Sequence, residues 1–377
     1  RTSTGEVTAD VLVGAIGPFS APSVPDLPGL DRFAGTVFHS QQWNHDHDLT
    51  GERVGVIGTG ASAVQFIPRV QPLAAHLSVF QRTPTWILPH PDRPVGRVAQ
   101  AVLARVPGAH RVARTAVALC FEALVPGFVW NPRLQKPLEL AARALLRRQV
   151  KDQKLRAALT PRYAVGCKRP TFSNRYYPAL TAPNTTVVTS GIVELTPSGI
   201  VTADGTEHEL DTIILGTGFR MTGHPGFDVI HGRNGASVGQ SWRAGEMSAY
   251  LGTTVHNFPN LFLILGPNSG VYTSAVITIE DQVNYLIEAL RLLDRCDADS
   301  VEVTAEAQQD FMDWVDEGLS QSVWIKGGCH SYYLSPTGRN FTHYPGFSAG
   351  FRTRTSTIRR ADYVVRSAAL VDGAVSA

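Results

Sequence analysis

Gly58-Thr59-Gly60-Ala61-Ser62-Ala63 has the spacing GxGxxA. An apolar strand-like run, Val54 to Ile57, precedes it, and an apolar helical run, Ala61 to Val70, follows. In that setting Gly58 permits a tight turn and Gly60 lets the backbone approach a pyrophosphate. Ala63, in the third place, still allows close helix–strand packing. The helix start adds free N–H groups and the positive end of its dipole. The chemistry implied is dinucleotide binding. The end of the next strand, Leu77 to Gln81, selects the dinucleotide. A carboxylate there would hold the ribose hydroxyls of NAD. Arg82 stands there instead, 22 residues beyond Gly60, followed by Thr83. A guanidinium holds a 2′-phosphate by charge-assisted hydrogen bonds, so NADP is expected.

Other reactive residues lack a matching pattern. Cys120, Cys167, Cys296 and Cys329 form no CxxC or CxxxxC pair and read as ordinary reduced thiols. His45-Asp46-His47-Asp48 are alternating neighbours on one short loop and cannot all converge, so no metal is expected. Ser62 lies in the phosphate turn without the His and Asp partners of a hydrolase.

The elements that must position these groups alternate between β and α. Residues 10–17 read as a buried strand, and Pro18, Pro22, Pro25 and Pro28 after it exclude a helix or central strand. Residues 53–81 read as a βαβ unit. Residues 97–160, rich in Ala, Leu, Arg and Val, read as a helical insert. Within it, 133–162 carries nine Lys/Arg against Glu139 and Asp152. A solvated basic face accounts for that, so any membrane contact is at most peripheral. Val112 to Trp130 is apolar but carries Arg114, Glu122 and a Pro126-Gly127 break, which makes a poor membrane span. Short strands follow from 186, with Asp204-Gly205 as a hairpin turn. Then come a buried strand at 211–215, another at 260–265 and an amphipathic helix at 280–293. Tyr176 and Tyr177 read as packing residues.

One segment, Phe33-Ala34-Gly35-Thr36-Val37-Phe38-His39-Ser40-Gln41-Gln42-Trp43, has the form FxGxxxHxxxW. It resembles the fingerprint of class B flavoprotein monooxygenases, and Trp43 resembles the Baeyer–Villiger version, although Asn44 departs from the usual Pro or Asp. The resemblance covers nearly the whole chain. The runs ending Gly14-Ala15-Ile16-Gly17 and Leu215-Gly216-Thr217-Gly218 look like the two hinge strands that link FAD and NADP domains. Cys167-Lys168-Arg169 looks like the family's Lys-Arg pair. It implies that Arg169 faces the flavin and stabilises its anionic oxygenated form, and that Lys168 helps hold the 2′-phosphate with Arg82 and Thr83. Cys329-His330-Ser331-Tyr332-Tyr333, with Gly338-Arg339-Asn340 and Tyr344-Pro345-Gly346, is similar to a CNSWY…GR…WPG region. Tyr332 replaces the usual Trp at a nicotinamide contact. The insert resembles the branch of 4-hydroxyacetophenone monooxygenase. His39 reads as a hydrogen-bonded residue that sets domain orientation.

The fold expected is α/β, with two dinucleotide-binding (Rossmann-like) domains and a helical insert. Residues 1–45 would end an FAD-domain segment and linker, 46–218 would bind NADP, and 219–377 would be a C-terminal FAD segment. No GxGxxG precedes residue 58, so the first FAD half is expected to be largely missing, and the polypeptide is expected to purify without tightly bound flavin. The implied reaction uses FAD, NADPH and O2 to insert oxygen beside a ketone carbonyl. N- or S-oxygenation, with a thioether as substrate, is the alternative, and an inactive NADP-binding fragment is another. A flavin disulfide reductase is a third reading, disfavoured by the absence of a cysteine pair. Composition agrees with a globular enzyme: 43% of the 377 residues are apolar, and 34 basic residues nearly balance 32 acidic ones. That balance gives no case for nucleic acid, and a cytoplasmic location is expected.

Overall fold

The structure is a computed structural model that describes residues 4–91 and 94–367. After β1 (Leu12–Gly14) the proline-rich stretch runs irregularly to β2 (Thr36–His39). β3 (Arg53–Ile57), α1 (Ala61–Val70) and β4 (His76–Phe80) form the βαβ unit, and β5 (Ile87–Leu88) leads away from it. The insert comprises α2 (Arg97–Arg105), α3 (Ala109–Glu122), α4 (Val125–Val129), α5 (Lys136–Gln149) and α6 (Gln153–Ala158). The chain returns through β6 (Thr171–Phe172) and α7 (Tyr176–Leu180) to β7 (Thr185–Val188). An antiparallel meander follows, β8 (Ile192–Thr196), β9 (Gly199–Thr202) and β10 (Glu207–Glu209), and β11 (Thr212–Leu215) re-enters the main sheet.

That sheet has the order β2-β11-β3-β4-β7, with every pairing parallel. Parallel strands covered on both faces need apolar side chains on both sides. One face packs Val54, Val56, Leu77, Val79 and Ile214 under Ala63, Val64, Ile67 and Val70 of α1. The other packs Ile57, Phe80, Ile213 and Leu215 against Leu195 and Ile200 of the meander and Phe33. Thr36–His39, within the expected linker, is therefore the edge strand of this five-stranded sheet.

The C-terminal part contains α8 (Val238–Ala244), β12 (Leu261–Leu263), α9 (Ala275–Cys296) and β13 (Ser300–Val303). It continues with α10 (Ala305–Leu319), α11 (Val323–Lys326), α12 (Ser348–Thr355) and β14 (Tyr363–Arg366). Its core, around Tyr285, Val301, Phe311 and Trp324, also takes in Phe128 and Val129 of the insert and Trp86. Helix α9 begins earlier than its apolar pattern suggests, because Ser274 caps it through the Val276 N–H.

Two expectations change. β1 is not a buried strand: Leu12 and Val13 are exposed, since β1 pairs only with β12 among the described residues. Ala109–Val129 is long and apolar enough by length and composition to cross a membrane. Here it is broken between α3 and α4. Two of its three charges are tied to the C-terminal part, Arg114 to Glu280 and Glu122 to the Ser348 N–H at 2.9 Å.

Ile214, fully buried on the interior strand β11, sets a stability test. The Ile214→Ala variant is expected to lose about 2–5 kcal/mol, through lost burial and the cavity left behind. The urea unfolding midpoint measures it, and an unchanged midpoint would contradict this packing.

Candidate active site

β3 and β11 lie side by side and both end in Gly-Thr-Gly. The chain continues from β3 to one side of the sheet through β4 and β7, while β2 and β11 occupy the other side. A crevice at the carboxyl ends of strands at such a switch point is the usual ligand site of an open α/β sheet. Gly58 sits at φ +110°, and a Cβ there would lie 2.4 Å from the Gly216 carbonyl oxygen. Only glycine fits. Gly60 is the extended residue before α1, and nothing lies within 4 Å of where its Cβ would be. A ligand can therefore reach its backbone. No side chain caps α1 and no acidic residue occupies its first turn, so its N–H groups remain available to an anion. Ala63 is buried, with its Cβ 3.4 Å from the Cβ position of Gly216. Thr59 Oγ1 donates to the Thr83 carbonyl at 3.0 Å, tying the glycine turn to the end of β4, where Arg82 is exposed.

A second segment is zipped onto the same edge. Trp86 Nε1 donates to the Tyr163 carbonyl and Tyr163 Oη to the Pro84 carbonyl, both at 2.9 Å. β5 pairs with β6, and Thr171 N–H donates to the Trp86 carbonyl. These contacts bring Lys168 beside Arg82. Burial and the neighbouring Arg82 charge both lower the Lys168 pKa. Among the described residues no carboxylate pairs with Lys168, Arg82 or Arg169. Adjacent cations without a counter-ion make a site for an anion.

Arg169 is exposed, and its charge reaches the phenols of Tyr272, Tyr332 and Tyr333. Burial raises all three pKa values, while Arg169 acts to lower them. Tyr332 Oη donates to Tyr333 Oη at 3.2 Å. Tyr332 as a whole is 40% exposed. Tyr272 stacks on Phe128 of α4 with ring centres 3.8 Å apart, so the insert forms one wall. Behind Tyr333, fully enclosed His343 stacks on Trp324, and burial depresses its pKa to about 3, which keeps it neutral.

Rings link this cluster to the fingerprint. Tyr332 meets Phe19, Phe19 meets Phe219, and Phe219 meets His39, with centroids 6.1, 5.5 and 5.8 Å apart. His39 is buried. Its Nδ1 accepts the Gln41 N–H at 3.1 Å, which assigns the ring proton to Nε2. Burial lowers its pKa against a weaker opposing contact with the Gly218 backbone. His39 Nε2, Thr273 Oγ1 and Ser331 Oγ are buried with no geometrically good partner among the described residues. Unpaired buried polar atoms are costly, and these lie beside the hinge, Tyr272 and Tyr332. The rest of the fingerprint is architectural. A Cβ on Gly35 would lie 2.2 Å from the Asp211 carbonyl oxygen, Phe33 is buried in the meander core, and Trp43 packs edge-on against Phe38 and Phe66.

The expectation of four reduced cysteines is overturned. Cys167 and Cys329 form a disulfide, while Cys120 and Cys296 are free and exposed. Their separation of 162 residues hid the pair, but each sits against one of the two motifs that the fold brings together. In the His45–Asp48 loop, His47 Nε2 bonds Thr212 Oγ1 at 2.8 Å and Glu52 at 3.1 Å. Among the described residues no group of His, Cys, Asp or Glu is placed to hold a metal. Tyr272 and the ring ladder had no sequence signal.

Residues 4–97 match the flavin-binding monooxygenase-like family. A Baeyer–Villiger monooxygenase of Pseudomonas aeruginosa is 45% identical over 350 residues, covering 92% of this chain and 66% of that protein. One of Streptomyces coelicolor is 42% identical over 380 residues, covering all of this chain and 73% of that protein. The chain thus spans about two thirds to three quarters of the length of these relatives. Among solved structures, OTEMO in complex with FAD and NADP superposes with a TM-score of 0.83 at 27% identity, covering 95% of this chain and 76% of that one.

The cation pair generates a binding test. Arg82→Ala is expected to weaken NADP+ binding by about tenfold to a hundredfold, the worth of charge-assisted hydrogen bonds, with little effect on NAD+. A phosphate dianion favours protonated Lys168, so NADP+ affinity is expected to fall as pH rises through a Lys168 pKa below the usual 10.5. Titration calorimetry reads both; equal losses for the two dinucleotides would contradict the assignment.

Proposed function

Because the chain belongs to the Baeyer–Villiger monooxygenase family, we propose that it acts as an FAD- and NADPH-dependent monooxygenase. In this reading it inserts one oxygen atom of O2 next to a ketone carbonyl, giving an ester or lactone. The carrying observation is Arg169, an unpaired cation on a tyrosine-lined seam, next in sequence to the Lys168 that stands beside Arg82. Bound NADPH supplies a hydride and bound FAD supplies the activation of O2.

The chain's own residues do the rest. The glycine turn and the start of α1 receive the pyrophosphate, and Arg82 with Lys168 takes the 2′-phosphate. Tyr332 lies where the nicotinamide end is held. The orphaned His39 Nε2, Thr273 Oγ1 and Ser331 Oγ are hydrogen-bonding groups left for cofactor or bound water. Arg169, exposed in the chain alone, would hold negative charge on the reacting oxygen once bound cofactor covers it, and a guanidinium suits this as a fixed fork of hydrogen-bond donors. The aromatic wall of Tyr272 and Phe128 excludes water, which strengthens that attraction. A ketone is the expected substrate class, a thioether competes for the same oxygen, and the setting is cytoplasmic.

In protein reconstituted with FAD, Arg169→Ala is expected to keep NADPH-driven flavin reduction and lose ester formation by about a hundredfold or more, the scale of removing a preorganised charge. Stopped-flow absorbance follows the first step and chromatography the second, with a ketone and a thioether offered in parallel. Ester yield equal to wild type would sink the role of Arg169. Thioether oxidation with no ester would replace the reaction class by S-oxygenation.

A further inference from the structure

We propose that the Cys167–Cys329 disulfide is the positioning element that holds Lys168 and Arg169 against Tyr332 and Tyr333, so that oxygen transfer depends on the thiol state of this pair. The inference rests on the proposed function for the role of Arg169, but not for the crosslink itself. Cys167 is fully buried and directly precedes Lys168-Arg169. Cys329 lies three residues before Tyr332. The bond therefore ties the loop that carries both cations to the segment that carries their aromatic neighbours, with Cα atoms 6.1 Å apart.

Few backbone bonds tie these two segments. Among the described residues one backbone hydrogen bond crosses between them, Ala164 N–H to the Gly327 carbonyl at 2.9 Å. Each cysteine follows a glycine in the left-handed region, Gly166 at φ +94° and Gly328 at φ +74°. Glycine at these positions lets the backbone re-route at low cost once the crosslink opens. The packing is otherwise tight. A Cβ on Gly327 would lie 2.9 Å from Cys167 Sγ, and Cys167 sits in the same core as Phe128, Trp324 and Tyr333. Among the described residues Arg169 has no carboxylate partner; its hydrogen-bonding neighbour is the Tyr332 phenol on the other segment, so the crosslink beside it sets where cation and phenol meet. Reduction is balanced by a dithiol. It gives two electrons and two protons to the sulfurs of Cys167 and Cys329, breaking their S–S bond, and forms its own disulfide. A crosslink of this kind is unusual in a reducing compartment except where it is transient or redox-sensing.

The test uses the FAD-reconstituted full chain with NADPH and a cyclic or aryl ketone. Alkylation after denaturation, read by mass, is expected to find two reactive thiols before dithiol treatment, Cys120 and Cys296, and four after it. Opening the crosslink is expected to lower ester formed per NADPH consumed by about tenfold or more, since misplacing a reacting group by an ångström can cost about a hundredfold. NADP+ affinity falls several-fold because Lys168 moves too, while flavin reduction at saturating NADPH changes by less than about twofold. Reoxidation restores all three. The double variant Cys167→Ser, Cys329→Ser matches the reduced wild type and ignores dithiol. A purely structural crosslink would lower the unfolding midpoint and leave coupling and NADP+ affinity alone, which would overturn the proposal. Four alkylatable thiols in untreated protein would also overturn it. If oxidised wild type forms no ester from any ketone, the proposed reaction fails, whereas NADP+ affinity and the thiol count still decide the crosslink.

Discussion

The site depends on one close approach: the backbone of Gly58 against the carbonyl of Gly216, where parallel neighbours β3 and β11 end together. No side chain fits between them. The contact places two Gly-Thr-Gly turns at one end of the sheet, the first opening α1 and the second passing to the hinge at Phe219. Gly35 repeats the arrangement one strand over, with its backbone pressed on Asp211 just before β11 begins. The fingerprint segment is thus explained by packing. Its glycine admits β2 to the sheet edge, its phenylalanine fills the meander core, and its tryptophan grips α1 through Phe66.

Electrostatics then separates two regions along one loop. Lys168 lies within charge range of Arg82 with no paired carboxylate among the described residues, so the protein carries mutual repulsion there that a bound dianion would relieve. One residue further, Arg169 faces phenols whose burial keeps them neutral. In the proposed reading the first cation serves phosphate recognition and the second remains for the chemistry. The insert contributes Phe128 to the second region, which joins a domain-sized excursion of the chain to the reacting end of the site.

Much of this was legible in the sequence because it is local. The βαβ unit, the glycine spacing, Arg82 at the strand end and the helical insert all follow from periodicity and turn chemistry within short windows. Lys168, Arg169 and Tyr332 were legible only through resemblance, since their spacing alone says nothing of a shared site. What was missed is long-range. The disulfide and the ring ladder from His39 to Tyr332 join residues far apart in sequence that share no pattern. The exposure of Leu12 and Val13 escaped for the same reason, because an apolar run does not reveal which of its faces is covered.

The central claim is that the crevice at the ends of β3 and β11 holds NADP with its 2′-phosphate between Arg82 and Lys168. Phosphorus NMR of NADP+ bound to the chain tests it most directly, through the second ionisation of that phosphate, which lies near pH 6 when free. Between two cations the bound 2′-phosphate should remain dianionic to lower pH, with its midpoint shifted by about one unit or more. A bound 2′-phosphate that titrates as it does in free NADP+ would contradict the account.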